Sequence, residues 1–469
     1  MPAYTRIRSL RALACAVPLL LAACGGGGGD AAPPPLSCSV AGQQDWLRGY
    51  MNDWYYWYRL GPNPAPGGYA TVASYFDALL YRGGDPIPGD PGGARWPSDR
   101  YSGYQSTESF NRFFADGQTL GYGMAVAGLE VTLPAPQPAQ PLYVRYIEPA
   151  SPAAAAGVVR GDRVISINGV PAATVISNND FSALSPAAAG NPLDLVLRNA
   201  AGADRGVTLF SAIFSLTPVQ NAQVLLSRPG GRSIGYLLVK DMISQASAPL
   251  ATAFASFRAN NVQELVLDLR YNGGGLVSMG GTLASYAAGS PGNGRLFTRL
   301  LYNDRHAANN QDFVFSNPGA WAGFSKVYVL AGQRTCSASE QVINGLRGIG
   351  VNVVAIGDTT CGKPVGFLPQ GDSCPAGNTY SAVNFEGVNA RSEGRYFFGF
   401  AATCAVAEDF SRPIGSTSDP LLVAAAYHAD NGFCPAGTAA REQPQARSGA
   451  PRTPYSGADG GERTGMSAR

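Results

Sequence analysis

The spacing of hydrophobic positions changes several times along the chain. Over residues 45–60, DWLRGYMNDWYYWYRL, the rings Trp46, Tyr50, Trp54, Trp57 and Tyr58 recur every three or four residues. That is the spacing of one helix face. Such a stripe packs into a core, with a platform for a flat ligand as the alternative. A second helix is predicted over Thr71–Leu80, and residues 84–98, rich in Gly and Pro, read as loop. The period then falls to two. Short alternating runs at Leu142–Ile147, Arg163–Asn168 and Leu193–Arg198 predict strands of a small β domain. From residue 230 apolar runs alternate with helical periods. Strands are predicted at Ile234–Lys240, Glu264–Arg270, Lys326–Ala331 and Val351–Gly357, and helices at Leu250–Ala259, Val277–Ala288 and Ser339–Leu346. Strands alternating with helices build an α/β core. Residues 435–469 show neither period, and a disordered tail is expected there.

Composition narrows the function. The 469 residues have room for two to four domains at ~100–200 residues each. Lys+Arg 34 against Asp+Glu 32 gives a net charge of +2, and no basic stripe occurs, which argues against a nucleic-acid binder. Only two histidines, His306 and His428, are present, so a Ser-His-Asp triad or a histidine-rich metal site has little to draw on. With no CxxC pair, no metal and no cofactor are expected.

The N-terminus has the features of an export signal. Arg6, Arg8 and Arg11 precede an apolar stretch, Ala12–Ala23, that is shorter than the ~20 residues a bilayer span needs. It ends in Leu21-Ala22-Ala23-Cys24, which resembles the bacterial lipobox; the resemblance implies a lipid on Cys24. Gly25 rather than Asp follows, which by the same resemblance favours an outer-membrane lipoprotein facing the periplasm, with surface exposure left open. Residues 25–40 then read as a Gly/Pro tether. In an oxidising compartment the six remaining cysteines, Cys38, Cys336, Cys361, Cys374, Cys404 and Cys434, read as disulfides, with 15 possible pairings.

Three segments carry candidate chemistry. In Arg334-Thr335-Cys336-Ser337-Ala338-Ser339-Glu340 an apolar strand runs into Ser337 and a helix follows. A hydroxyl on such a turn meets the unpaired N–H groups of a helix N-terminus; simple helix capping by serine is the alternative. Lys363, in Gly357-Asp358-Thr359-Thr360-Cys361-Gly362-Lys363-Pro364, offers a base if burial keeps it neutral. That segment also matches G-x-x-x-x-G-K. Pro364, however, stands where a phosphate-binding loop needs Ser or Thr, and proline disfavours the helix start, so nucleotide binding is excluded. In Asp268-Leu269-Arg270-Tyr271-Asn272-Gly273-Gly274-Gly275 glycines follow a strand, and their N–H groups with that of Ala338 suit an oxyanion hole.

Two family resemblances organise these segments. Residues 120–215 contain SPAAAAGVVRGDRVISINGVP, with Gly161-Asp162 entering a strand and Asn168-Gly169 in a tight turn, and resemble a PDZ domain. By that resemblance Gly121, Tyr122, Gly123 and Met124 form the loop that binds a peptide C-terminus beside a strand edge. The order of the aromatic helix, the PDZ-like stretch, D-L-R-x-N-x-G-G at 268–275, S-A-S-E at 337–340 and T-x-G-K at 360–363 is similar to the S41 serine peptidases, the C-terminal processing peptidases. Ser418-Asp419-Pro420-Leu421-Leu422 is similar to that family's close. The resemblance implies Ser337 as nucleophile and Lys363 as general base. Gly274 or Gly275, with Ala338, would form the oxyanion hole, and Arg270 and Asn272 would support the turn. Where many members place Gln, four residues after the lysine, this chain has Phe367.

The expected architecture is an α+β multidomain chain. An α/β peptidase core at 217–434 carries an inserted PDZ-like β domain at 119–216 and an N-terminal helical region at 41–115. The signal at 1–24 precedes the tether, and the tail at 435–469 follows. If Ser337 and Lys363 meet, their neighbours Cys336 and Cys361 come within disulfide range, so that pair is expected, leaving Cys374–Cys404 and Cys38–Cys434 as the simplest remainder. The expected activity is Ser-Lys endopeptidase cleavage of exported polypeptides, with the PDZ domain taking C-terminal tails. A catalytically weak PDZ scaffold with the same fold is the alternative. Oligomeric state is not legible.

Overall fold

The computed structural model describes residues 37–438, apart from 91–92, 128–140, 179, 226–231, 318 and 320, together with 465–467. The expected signal, Cys24 and the tether before residue 37 lie outside the described residues.

A six-stranded sheet forms the centre, in the order Val219–Leu225, Ile234–Val239, Glu264–Asp268, Lys326–Ala331, Asn352–Gly357 and Cys404–Ala405. The first strand pairs antiparallel with its neighbour and the others run parallel. Successive side chains point to opposite faces. Leu237, Val239, Leu265, Leu267, Val327 and Val329 pack beneath the helices Ser247–Ala259, Val277–Ala288 and Ala338–Gly348. Tyr236, Val266, Tyr328, Leu330, Val354 and Ile356 pack against the helix Pro420–Asn431. Both faces are buried, which explains why the inner strands read as near-continuous apolar runs.

The N-terminal helix runs over Val40–Trp54 rather than to residue 60. Tyr55 is extended, and Trp57 lies in the turns beyond. The aromatic spacing overran the helix because Trp57, like Trp46, Tyr50 and Trp54, is buried. The stripe is a packed face: Trp46 meets Tyr380, and Trp54 stacks on His306 with centroids 3.6 Å apart. The second helix, Val72–Leu79, begins after Thr71, which caps it by accepting from Ser74 N.

The inserted domain has its own sheet, ordered Met124–Ala127, Leu142–Ile147, Arg163–Ile167, Pro192–Arg198 and Asp204–Phe210. Its separate core includes Val126, Val144, Ile167, Leu193, Leu195 and Leu197. Asn168 and Gly169 both have positive φ, 48° and 77°, in the two-residue hairpin joining Ile167 to Val170.

The disulfides are Cys38–Cys374, Cys336–Cys361 and Cys404–Cys434. The second is as expected, and the other two correct the expected Cys374–Cys404 and Cys38–Cys434. The helix beginning at Val40 packs on the small sheet containing Tyr380, which brings Cys38 to Cys374. Cys404 ends the central sheet beside the helix Pro420–Asn431, so the residue within reach is Cys434, just past that helix. Of the tail expected to lack structure, Gly465–Ser467 forms a strand paired parallel with Gly274–Leu276; residues 439–464 and 468–469 lie outside the described residues.

Candidate active site

Ser337 lies in the turn between the strand Lys326–Ala331 and the helix Ala338–Gly348, with φ 63° and ψ −117°. A non-glycine residue at positive φ is strained, and sharp strand-to-helix turns of this kind present nucleophiles. Its Oγ is buried and has no hydrogen-bond partner among the described residues. The turn is pinned from below. Thr335 Oγ1 donates to Leu269 O at 2.8 Å, Cys336 N to Asn272 O at 3.1 Å, and Ser339 Oγ to Asn272 O at 3.1 Å.

Those contacts join the serine turn to the glycine turn. Asn272 Nδ2 donates to Val239 O, and its Oδ1 accepts from Gly274 N, both at 2.9 Å. Arg270 is buried and paired with Asp268 and Asp419, with 2.7 Å from its Nη2 to Asp419 Oδ2. Both residues are therefore placed as supports. Asp419 also accepts from Leu421 N at the start of the final helix, which accounts for the Ser418-Asp419-Pro420 motif. Gly275 has φ 134°, and a Cβ there would come 2.3 Å from Met242 O, so the position demands glycine. Gly274 N–H is already donated to Asn272 Oδ1, whereas the Gly275 N–H faces the outer edge of its strand, where Gly465–Ser467 pairs. Ala338 is the first residue of its helix, where N–H groups lack intrahelical partners.

Lys363 is buried, and burial lowers its pKa from 10.5 to about 8 against the opposing pull of Asp99 and Glu340. Its Nζ donates to Tyr101 O at 3.4 Å and lies 4.9 Å from the Phe367 ring centroid and 5.7 Å from that of Tyr101. Phe367, at the position where glutamine is common, thus covers the ammonium with an aromatic face. The structure gathers Ser337 and Lys363 around one carboxylate but does not hydrogen-bond Oγ to Nζ. Hydrogen bonds between nucleophile and base are often long before substrate binds.

The shared carboxylate is Glu340. Its Oε2 accepts from Ser337 N at 3.0 Å and Lys363 N at 2.8 Å. Its Oε1 accepts from Thr360 Oγ1 at 2.5 Å and Gly362 N at 2.9 Å. Burial pushes its pKa up, and these hydrogen bonds hold it down. The disulfide Cys336–Cys361 adds a covalent link between the same two segments. From the N-terminal region, Tyr101 Oη donates to Gly362 O at 2.8 Å, and Asp99 Oδ1 accepts from Tyr101 N at 2.9 Å.

A cavity of about 170 Å³ opens beside Gly274 and Gly275, walled by Tyr101, Tyr104, Phe113, Phe114 and Phe367. At the PDZ loop, Gly121 ends the strand Gln118–Gly121, and Tyr122 and Met124 point into the domain core. A Cβ on Gly123 would collide with Ser151. That loop can offer a ligand its backbone only, and Met124–Ala127 is an edge strand of the sheet.

Residues 42–103 match the model of the peptidase S41 N-terminal domain, 143–198 that of a PDZ domain, and 233–369 that of peptidase family S41. The chain is 28% identical over 217 residues to a carboxyl-terminal-processing protease of Synechocystis sp., covering 45% of this chain and 47% of that one. It is 27% identical over 266 residues to carboxyl-terminal-processing peptidase 2, chloroplastic, of Arabidopsis thaliana, covering 55% and 50%. The chain spans about half the length of the curated relatives it matches. A solved structure of a candidate S41 protease from Bacteroides fragilis NCTC 9343 is 26% identical with a TM-score of 0.60, covering 81% of this chain and 96% of its own. The chain has the S41 peptidase fold, with a PDZ domain and an N-terminal helical region.

Proposed function

We propose that this protein is a Ser-Lys serine endopeptidase that cleaves exported polypeptides, held at the outer membrane by a lipid on Cys24 and facing the periplasm. The observation that carries the chemistry is the strained Ser337, with an unpartnered Oγ, joined through Glu340 to a buried lysine of depressed pKa. Neutral Lys363 takes the Ser337 proton as Oγ attacks the peptide carbonyl. The oxyanion faces Gly275 N–H and Ala338 N–H. Collapse expels the amine, which takes its proton from the Lys363 ammonium. Water then attacks the acyl ester as neutral Lys363 takes its proton, and collapse releases the new carboxyl group while the Lys363 ammonium returns that proton to the departing Ser337 Oγ. The class and its targets are tested together by comparing the periplasmic proteins of cells with wild type and with Ser337→Ala. Full-length substrates accumulate in the variant, and unchanged protein profiles reject the peptidase reading.

The PDZ loop Gly121–Met124 is the proposed reader of polypeptide C-termini. Its backbone N–H groups suit a carboxylate, and the Met124–Ala127 edge suits an added strand. In the Ser337→Ala protein, a peptide with a free carboxylate is expected to bind at least ~10-fold more tightly than its amide, the scale of a charge-assisted hydrogen bond. Equal affinities remove the carboxylate role.

The Cys336–Cys361 clamp holds the nucleophile turn to the base loop. Cys336→Ser/Cys361→Ser protein is expected to fold, with kcat/KM lower by about 10- to 100-fold, the scale of a misplaced catalytic group. Full activity in this double variant rejects the clamp.

A further inference from the structure

The strand Gly274–Leu276 has two edges. On the inner one, Gly274 O accepts from Met242 N at 3.1 Å and Leu276 N donates to Met242 O at 2.7 Å. Backbone direction alternates along a strand, so the Gly275 N–H and C=O face the other way. Beside that outer edge lies the chain's own strand Gly465–Ser467, parallel, with Gly465 opposite Gly274, Met466 opposite Gly275 and Ser467 opposite Leu276. A parallel partner bonds to the residues flanking the one opposite, so this strand engages the donor of Gly275 that an oxyanion would use. The aromatic cavity of about 170 Å³ opens on the same two glycines and is a ready acceptor for an apolar side chain of whatever strand lies there.

We infer that the outer edge of Gly274–Leu276 is a binding site for an extended polypeptide, and that the chain's own segment 465–467 is its resident ligand, competing in cis with anything brought to the active site. The competition rests on the peptidase reading; the binding site does not. Gly275 suits the task twice. Without a Cβ it packs onto Met242, and it presents a bare amide with no side chain to hold a second strand away. The segment is tethered through residues 439–464, so it acts at an effective concentration on the order of mM. A ligand of weak intrinsic affinity then fills the edge much of the time, and an external polypeptide must displace it.

The test is amide hydrogen exchange at 274–276, in the Ser337→Ala background so that cleavage plays no part. Three proteins are compared: the full chain, the chain ending at residue 464, and the full chain with Gly465→Pro, Met466→Pro and Ser467→Pro, which removes the N–H groups a ladder needs. Both altered proteins are expected to exchange the Gly275 amide at least ~10-fold faster than the full chain, the cost of one lost hydrogen bond. A synthetic peptide of residues 460–469, added at millimolar concentration, restores protection in the shortened protein. Equal exchange in all three overturns the inference, as does faster exchange on truncation that the proline variant fails to reproduce, or failure of the peptide to restore protection. Inability of the unmutated protein to cleave any polypeptide would defeat the peptidase reading and leave this result standing.

Discussion

Replacing Ser337 by Ala, or Lys363 by Met, is expected to lower kcat/KM for a polypeptide by at least ~10³-fold, while the double variant is scarcely worse than either single one. The two act as one unit, so removing either removes the proton transfer and the attack together. Folding should survive. Ser337 Oγ is a buried hydroxyl with no partner, and its loss leaves nothing unpaired. Met fills the space of the lysine stem without its amine. The pH profile follows from the same lysine. Its folded pKa is depressed to about 8, so the neutral form, and the rate, are present above pH 8 and lost as pH falls through it. Between pH 8 and 10.5 the unfolded chain holds a proton on this residue that the folded one has released, so wild-type stability rises with pH across that window. The Lys363→Met protein lacks that rise. Wild-type rates in either folded single variant would sink the dyad.

Glu340→Gln should damage both stability and activity although it changes one oxygen to nitrogen. All four groups around the carboxylate donate, and three are main-chain N–H groups that cannot turn round. An amide that aims its NH2 at Thr360 Oγ1 and Gly362 N orphans Gly362 N, and one that aims it at Ser337 N and Lys363 N orphans both, at roughly 1–3 kcal/mol per buried donor. The fall in Tm is expected to be several degrees. Because either orientation loosens the joint between the Ser337 turn and the Lys363 loop, the loss should appear in kcat, by about 10²-fold, more than in KM. A variant of unchanged kcat and Tm would show that Glu340 organises nothing.

How far the chain could be read depends on which atoms carry the information. The four inner strands were legible because both of their faces are buried, which leaves an unbroken apolar run. The edge strands were not: Val219–Leu225 is VQNAQVL, half exposed, and Cys404–Ala405 is too short to have a period. Ser337, Lys363 and the glycine turn could be singled out by residue type and order. Glu340 could have been, since a Ser followed three places later by Glu is a helix-start signature, but the signature does not say that the carboxylate also reaches Gly362 and Lys363. Tyr101 could not, because what it offers Lys363 is a main-chain carbonyl, which every residue has. The disulfides failed for a related reason. Neighbouring chemistry brought Cys336 to Cys361, whereas the partners of Cys38 and Cys404 were decided by which helix lies on which sheet.

Cys38–Cys374 joins residues 336 apart in sequence, immediately before the first helix begins. A pull on the segment preceding Cys38 therefore enters the molecule by two routes, along the helix Val40–Trp54 and through a covalent bond into the loop before the strand Asn378–Ser381. The helix cannot be peeled away end-first while that bond is intact, because the load is taken up at Cys374 before its first turn is strained. In a force-extension measurement gripping residue 37 and residue 438, the chain between Cys38 and Cys374 would contribute no contour length, and only reduction would release it.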